Sequence, residues 1–219
     1  MNLKYKHILW DWNGTLLDDV DLCIAVTNKL MKRRKKNFSI DRQQYLQEFT
    51  FPVVDFYRKM GFDFSQESFS EMAEEWIAEY KRLFKESVSL NGAVIDVLTN
   101  LKKQGYKQSI LSACENTLLN ESIEAFGLQK FFHKIHGTHS NEAHGKVDLA
   151  LTIIEAQHCS PQEALLIGDT THDYEVAQAA GLQCVLVANG HQHSTRLKET
   201  SAPVICDISG IPNFLESLK

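Results

Sequence analysis

Three aspartates stand where short apolar runs of the sequence end. Asp11 follows the run at residues 5–10, and Asp169 and Asp173 lie in the segment LLIGDTTHD. Any one of them alone is more often a helix cap or a turn former. Three carboxylates that converge on one crevice repel one another unless a cation neutralises them, and an oxygen-rich site with room for water suits Mg²⁺. Their clustering therefore predicts a magnesium site.

Other residues at the same predicted edge could meet an anion. Gly14 allows a sharp turn after Asp11, and Thr15 supplies a hydroxyl. Ser112 offers a second hydroxyl at the end of the run 107–111, and Lys146 offers a positive charge where a helix opens. Alone, Ser112 would be a strand terminator and Lys146 a surface lysine. Together they indicate a place for a phosphate.

The elements that must position these residues alternate between strand and helix. A helical pattern over residues 93–103 ends at Gly105 and runs directly into a strand, and this helix-then-strand order repeats. Such alternation predicts an α/β fold with a mostly parallel sheet covered on both faces. The predicted strands are residues 5–10, 107–111, 164–167, 184–187 and 204–205, and the predicted helices are residues 93–103, 116–126, 147–156 and 173–180.

Residues 18–88 break the alternation. They are rich in Glu, Lys, Met and Phe, show helical periodicity and contain no convincing strand. We interpret them as a helical domain inserted into a core made of residues 1–17 and 89–219, above the carboxyl ends of the strands, where ligands bind in open α/β sheets. Aromatic residues at helical spacing are more often core than pocket. The insertion's candidates for facing the site are Phe49, Phe51, Phe56, Tyr57 and Arg58.

Composition and charge set limits on partners. The chain has 219 residues and a formal net charge of -5, which gives no sign of binding to nucleic acid or an anionic membrane. The basic run at residues 32–36 is best explained as a solvated helix end. No stretch approaches the roughly 18 apolar residues that cross a bilayer, so we expect a cytoplasmic protein. The five scattered cysteines favour reduced thiols, and oligomeric state cannot be read from the sequence.

Four segments together resemble the motifs of the haloacid dehalogenase superfamily in order and spacing. They are DWNGTLLD at residues 11–18, ILS at 110–112, Lys146, and GDTTHD at 168–173. The similarity is closest to the phosphoglycolate phosphatase and β-phosphoglucomutase branch, whose helical cap follows the first motif. The stretches AGL at 180–182 and VANGH at 187–191 also resemble that branch. The resemblance implies a Rossmann-like, three-layer core with an inserted helical cap.

The resemblance also implies roles. Asp11 would be the nucleophile of a phosphatase that acts on a small phosphorylated metabolite through an aspartyl phosphate. Mg²⁺ would be held by Asp11, Asp169, Asp173 and the backbone carbonyl of Asn13. The phosphoryl oxygens would be bound by Thr15, Ser112 and Lys146, and Lys146 would also offset the charge of Asp11.

One position departs from the family pattern. Asn13 stands where phosphatases of this family carry the aspartate that protonates the leaving group and later activates water, and an amide cannot exchange protons in this way. Four explanations are open. The substrate has a leaving group that needs little protonation, such as an acyl or aryl phosphate; another group, His172 or a residue of the insertion, takes over; Asn13 is an engineered replacement; or the protein binds phosphate ligands without catalysis. A phosphomutase is disfavoured because it also needs the proton shuttle.

Four histidines lie close together in the sequence, at His133, His136, His139 and His144. They cross a predicted strand and a loop, so a surface location is favoured over a metal site.

Overall fold

The computed structural model describes residues 4–138 and 145–218 of the protein. In these residues the strands are β1 (His7–Trp10), β2 (Leu17–Asp18), β3 (Ser89–Leu90), β4 (Lys107–Glu115), β5 (Lys134–Thr138), β6 (Ala164–Gly168), β7 (Gln183–Val187) and β8 (Val204–Ile205). The helices are α1 (Val20–Arg33), α2 (Arg42–Glu48), α3 (Val53–Lys59), α4 (Phe69–Ser87), α5 (Val94–Lys103), α6 (Asn116–Ala125), α7 (Gly145–Ala156), α8 (Thr171–Ala179), α9 (Ser194–Leu197) and α10 (Ile211–Glu216).

Six strands form one parallel sheet in the order β5-β4-β1-β6-β7-β8. The central strand β1 pairs with β4 on one side and β6 on the other, so that Trp10 lies opposite both Ile110 and Ile167. All four residues of β1 are buried, as expected of a parallel strand whose two faces are covered. The predicted α/β fold with a mostly parallel, Rossmann-like sheet is confirmed.

Helices cover both faces of the sheet. Ile8 and Trp10 belong to one apolar cluster together with Leu98 of α5, whereas Leu9 between them belongs to a second cluster with Ile153 of α7. This alternation follows from the two-residue period of a strand. The sheet is therefore the middle of three layers, and its carboxyl edge is held in place from both sides.

Helices α1 to α4 fill the chain between β2 and β3. These two short strands pair antiparallel, Leu17 with Leu90 and Asp18 with Ser89, and the sequence did not predict them. Helix α1 ends at Arg33, inside the basic run at residues 32–36, as predicted. Arg33 and Arg34 are not a free basic patch, since both pair with Glu75 of α4. The division of the chain into a core and a cap stays a prediction.

In the two described stretches, every helix is too short or too polar to span a bilayer.

Candidate active site

The three predicted carboxylates lie together at the carboxyl edge of the sheet. Asp11 follows β1, Asp169 follows the neighbouring strand β6, and Asp173 lies at the beginning of α8. Each offers an oxygen, and these oxygens all lie within 4.8 Å of one another. The backbone N–H of Asp11 donates to the carbonyl of Ile167 over 2.9 Å, which extends the pairing of the two strands up to Asp11. Three carboxylates can therefore share one cation.

Lys146 is the cation nearest to the carboxylates. It lies in the first turn of α7, and its Nζ donates to Asp11 Oδ1 and to Asp173 Oδ1, each over 2.7 Å. Its side chain is only 2% exposed. A buried ammonium group is tolerated because both contacts are charged hydrogen bonds. The sequence predicted that Lys146 offsets the charge of Asp11 but did not predict its contact with Asp173.

Asp173 is oriented by the turn that begins α8. Its Oδ2 accepts hydrogen bonds from the backbone N–H of Asp169 over 3.2 Å and of Thr170 over 3.0 Å. The hydroxyl of Thr170 also donates to it over 2.7 Å, as part of a capping box. The carboxylate thus caps its own helix and still presents Oδ1 to Lys146.

Asp169 is packed against backbone on two sides. A Cβ added to Gly190 would lie 2.1 Å from Asp169 Oδ2, and one added to Gly14, whose φ is +75°, would lie 2.3 Å from the same atom. The backbone N–H of His191 donates to that oxygen over 2.6 Å, and the Thr15 hydroxyl donates to Asp169 Oδ1 over 2.9 Å. Both glycines are therefore required by the close approach of this carboxylate.

The charges of this cluster do not balance. Three carboxylates face one ammonium group. Burial, together with repulsion from Asp169 and Asp173, raises the pKa of Asp11 to about 8, because Lys146 offsets these effects only in part. Burial also raises the pKa of Asp169 to about 6, against the favourable charge of His191. Three carboxylates with too little positive charge around them fit a divalent cation such as Mg²⁺.

Asn13 faces a fourth buried carboxylate. Its Nδ2 donates to Asp19 Oδ2 over 2.8 Å and to the hydroxyl of Tyr80 over 3.2 Å. The Tyr80 hydroxyl also donates to Asp19 Oδ2 over 2.8 Å, and the backbone N–H of Gly14 donates to Asp19 Oδ1 over 3.1 Å. The amide of Asn13 is thus held as a hydrogen-bond donor.

His191 completes this second cluster. Its Nε2 lies 3.1 Å from Asp19 Oδ1, and its Nδ1 lies 2.9 Å from the hydroxyl of Tyr45. Burial acts to lower the pKa of His191, but the charge of Asp19 outweighs it and raises the pKa to about 9. Burial likewise acts to raise the pKa of Asp19, yet His191 and the hydrogen bonds from Asn13 and Tyr80 bring it below its ordinary value. The two form a buried ion pair.

Sequence reasoning did not single out Asp19, Tyr80 or the pairing role of His191. The doublet Asp18-Asp19 directly after the first motif was the available signal, but an aspartate there also reads as a helix cap. His191 is 172 residues away from Asp19 along the chain. Only the fold brings them together.

A cavity of about 240 Å³ opens above the carboxylates. Six of the seven predicted site residues line it, namely Asp11, Asn13, Ser112, Lys146, Asp169 and Asp173. Thr15 is not among the lining residues; it is fully buried beneath Asp169, and its predicted contact with phosphoryl oxygens stays a prediction. Ser112 is buried, and its hydroxyl accepts from the backbone N–H of Cys114 over 3.1 Å.

Residues from the segment 18–88 also line the cavity. The four aromatic candidates named from the sequence line it, namely Phe49, Phe51, Phe56 and Tyr57. Arg58 does not, because its guanidinium lies exposed and pairs with Asp55 over 2.7 Å. The guanidinium of Arg58 thus points to water, while the rings of the neighbouring Phe56 and Tyr57 face the cavity.

The other histidines that the sequence analysis singled out lie in different places. His172 lines the cavity, and its ring stacks on Phe51 with centroids 4.6 Å apart. Among the described residues, His133 and His136 belong to no group that could hold a metal ion. His139 and His144 lie outside the described residues.

Comparison with known proteins identifies the family. A model of the haloacid dehalogenase-like hydrolases matches residues 8–187. The phosphoglycolate phosphatase of Pseudomonas putida is 25% identical over 209 residues, which cover 92% of this chain and 76% of that protein. The pyrophosphatase PpaX of Oceanobacillus iheyensis is 26% identical over 201 residues, covering 90% of this chain and 89% of its own.

A solved structure shows the same fold. A haloacid dehalogenase-like family hydrolase from Streptococcus pneumoniae has a TM-score of 0.82 at 20% identity, over 96% of this chain and 98% of that one. The chain belongs to the haloacid dehalogenase-like hydrolases, as its four motifs predicted.

Proposed function

We propose that this protein is a Mg²⁺-dependent phosphatase that hydrolyses a small phosphorylated metabolite through an aspartyl phosphate on Asp11. The observation that carries the proposal is the group of three carboxylates and Lys146 at the floor of a cavity of small-molecule size. The names of the phosphoglycolate phosphatase and pyrophosphatase relatives support the same reaction class.

The residues that would hold Mg²⁺ are Asp11, Asp169, Asp173 and the backbone carbonyl of Asn13. When bound, the ion would screen the negative nucleophile from the negative phosphate.

The chain's own groups would perform the displacement. An Asp11 carboxylate oxygen attacks phosphorus, the P–O bond to the leaving group breaks, and the phosphoryl group stays on the protein until water releases it as inorganic phosphate. Lys146 contacts Asp11 and is placed to bind a phosphoryl oxygen beside it. We propose the same binding role for the hydroxyls of Ser112 and Thr15. Splitting one difficult displacement into two easier steps is the advantage of this route.

Asn13 sets the limit on the rate. Its amide donates to Asp19 and Tyr80 and has no proton to exchange with a leaving group. General acid and base catalysis typically contributes about 10² to 10⁴ in rate. We therefore propose that alkyl phosphates, which need a protonated leaving group, turn over slowly.

The proposal extends to organisation and location. Residues 18–88 would act as a cap over the core formed by residues 1–17 and 89–219, since their aromatic rings roof the cavity. We further propose a cytoplasmic location and a small phosphorylated substrate as the partner, without binding to nucleic acid or a membrane. A net charge of -5 is consistent with the absence of nucleic-acid binding.

Phosphate release from 4-nitrophenyl phosphate tests the proposal. We expect release that requires Mg²⁺, stops with a chelator and is lost in Asp11→Asn. Binding of inorganic phosphate without any release would instead favour a noncatalytic phosphate-binding protein, which the immobilised amide of Asn13 also permits. Transfer of the phosphoryl group to a second hydroxyl of a sugar phosphate, with no free phosphate, would favour a phosphomutase.

A further inference from the structure

Much of the cavity wall is built from aromatic side chains. The rings come from the insertion and include Phe49, Phe51, Trp76 and Tyr80. Phe49 and Phe51 meet edge to face at 5.5 Å, and Trp76 stacks on Tyr80 at 4.9 Å. Phe49, Phe51 and Trp76 are only half-buried although they lie inside the fold. Because Phe51 already stacks on His172 and Trp76 on Tyr80, it is the remaining exposed surface of these rings that a flat apolar group can contact.

Among the described residues that line the same cavity, the one lysine is already paired with carboxylates. Among its described lining residues the basic groups are Lys146, His172 and His191. Lys146 is shared between Asp11 and Asp173, and His191 is paired with Asp19. His172 is stacked on Phe51, with its Nδ1 3.6 Å from Glu175.

An acidic residue, Glu115, also lines the cavity. It lies next to Cys114, at the point where β4 passes into α6. A substrate with a second anionic group, such as a carboxylate or a further phosphate, would have to bury that charge unpaired or beside Glu115, which is costly.

The leaving group points to the same chemistry independently. Asn13 cannot donate a proton, which favours a departing oxygen that is stable as an anion. A phenol has a pKa of about 10, as the tyrosine side chain shows. An aliphatic alcohol is far less acidic, close to water at about 15.7. Phenolate therefore leaves without help, whereas an alkoxide does not.

We propose that the substrate is a small aryl monophosphate, a phosphate ester of a phenol, whose ring is seated between the aromatic side chains of the insertion. The proposal rests on the phosphatase function proposed above. Asp11 forms the new P–O bond, the P–O(aryl) bond breaks, and its electron pair stays on the phenolate oxygen, which takes a proton from water. Water then cleaves the aspartyl phosphate to give inorganic phosphate and the free carboxylate.

Substrate comparison provides the first test. We expect phenyl phosphate to have a kcat/KM at least about 10²-fold above that of cyclohexyl phosphate, which has a similar size but a poor leaving group. Phosphoglycolate and pyrophosphate should fall below phenyl phosphate as well. A higher kcat/KM for either of these two, or for a tyrosine-phosphorylated peptide, would overturn the proposal.

Binding provides a test that does not need turnover. Phenylphosphonate, which cannot be hydrolysed, should bind to the Mg²⁺-loaded protein at least about 10-fold more tightly than phosphonoacetate, which carries a carboxylate in place of the ring. Trp76→Ala and Phe51→Ala, made separately in case one fails to fold, should each weaken phenylphosphonate binding by about 5-fold or more. Both should leave inorganic phosphate binding nearly unchanged. Phe38→Ala is the matched control, since Phe38 is 50% exposed and lies outside the cavity.

The two proposals fail in different ways. If phenylphosphonate binds with the expected preference but no ester is hydrolysed, the aryl ligand is supported and the phosphatase function is not. If esters are hydrolysed but phosphonoacetate binds as tightly as phenylphosphonate, the phosphatase function holds and the aryl substrate is overturned.

Discussion

Two buried groups of charged residues meet at the same cavity, and they are balanced differently. The strand-end cluster consists of Asp11, Asp169, Asp173 and Lys146, and the Asp19 cluster consists of Asp19 and His191 with their hydrogen-bond partners Asn13, Tyr45 and Tyr80. In the first, the pKa of Asp11 rises to about 8, above its ordinary value. In the second, the pKa of Asp19 lies below its ordinary value, and the pKa of His191 rises to about 9.

The difference indicates that the strand-end cluster is a binding site, whereas the Asp19 cluster has a structural role. The Asp19 cluster satisfies its own charges, because one carboxylate meets one imidazolium and each has further hydrogen bonds. The strand-end cluster leaves negative charge uncompensated, which costs stability unless something binds. Proteins tolerate such local conflict mainly where function needs it. The same charge-neutralising substitution should therefore have opposite consequences in the two clusters.

The largest effect is expected for Asp11→Asn. Removing the nucleophile should reduce hydrolysis of 4-nitrophenyl phosphate by at least about 10⁴-fold. The free energy of unfolding of the metal-free protein should stay constant or rise, because a buried carboxylate that repels its neighbours is removed. Activity assays and denaturant unfolding measure the two quantities. Asp96→Asn, at an exposed position of α5, is the control, and loss of stability in Asp11→Asn alone would contradict the picture of an unbalanced cluster.

Asp19→Asn makes the same change in the balanced cluster. It leaves the buried imidazole of His191 without its partner, and breaking a buried ion pair typically destabilises a protein by about 3–5 kcal/mol. We expect a loss of this size in the free energy of unfolding at pH 7, measured by urea denaturation. A loss below about 1 kcal/mol would show that Asp19 and His191 are not the pair that the geometry indicates.

Asn13→Asp tests the position where the Asp19 cluster meets the strand-end cluster. The new carboxylate would lie within hydrogen-bonding distance of Asp19, and two such groups share a proton, which restores a general acid. We expect kcat/KM for an alkyl phosphate to rise about 10²-fold or more, and that for an aryl phosphate to change less than about 10-fold. Steady-state assays with cyclohexyl and phenyl phosphate measure both. No change with the alkyl ester would mean that proton transfer by residue 13 is not what limits the reaction.

The strand-end cluster was largely predictable from the sequence. Asp11 and Asp169 each follow an apolar run, and parallel strands bring such positions to one edge whatever the details of the loops. Lys146 was placed correctly at the opening of a helix. Its second contact with Asp173 depends on how deeply the side chain is buried, which no spacing rule gives.

The Asp19 cluster was not predictable in the same way. Its members come from the first motif and the residue after it, from α2 and α4 of the insertion, and from the loop after β7, so that their contact depends on how the insertion packs on the sheet. The aromatic rings of the cavity are a similar case. Helical spacing alone did not distinguish Phe51, which lines the cavity, from Arg58, which points to water. Packing between separate elements decides these positions, and it leaves no local pattern.

The smallest effect concerns pH and the ion. An unfolded aspartate has a pKa of about 3.9, whereas folded Asp11 has a pKa of about 8. Between these values the unfolded chain has lost a proton that the folded chain keeps, so Asp11 makes the metal-free protein less stable as the pH rises from about 4 to about 8. Mg²⁺ needs the ionised carboxylate, so its apparent Kd should be at least about 10-fold lower at pH 8 than at pH 6.

Thermal unfolding with and without Mg²⁺ measures this coupling. An ion present at about 100 times its Kd stabilises the folded state by about 2.7 kcal/mol, and at a fixed concentration this gain should be larger at pH 8 than at pH 6. Asp11→Asn should remove most of the difference, because the titrating group is gone. Asp18→Asn, a neighbouring carboxylate outside both clusters, should keep it. Equal stabilisation by Mg²⁺ at the two pH values would place the ion away from Asp11. The strand-end cluster would then not be a cation site, and its contrast with the charge-balanced Asp19 cluster would not hold.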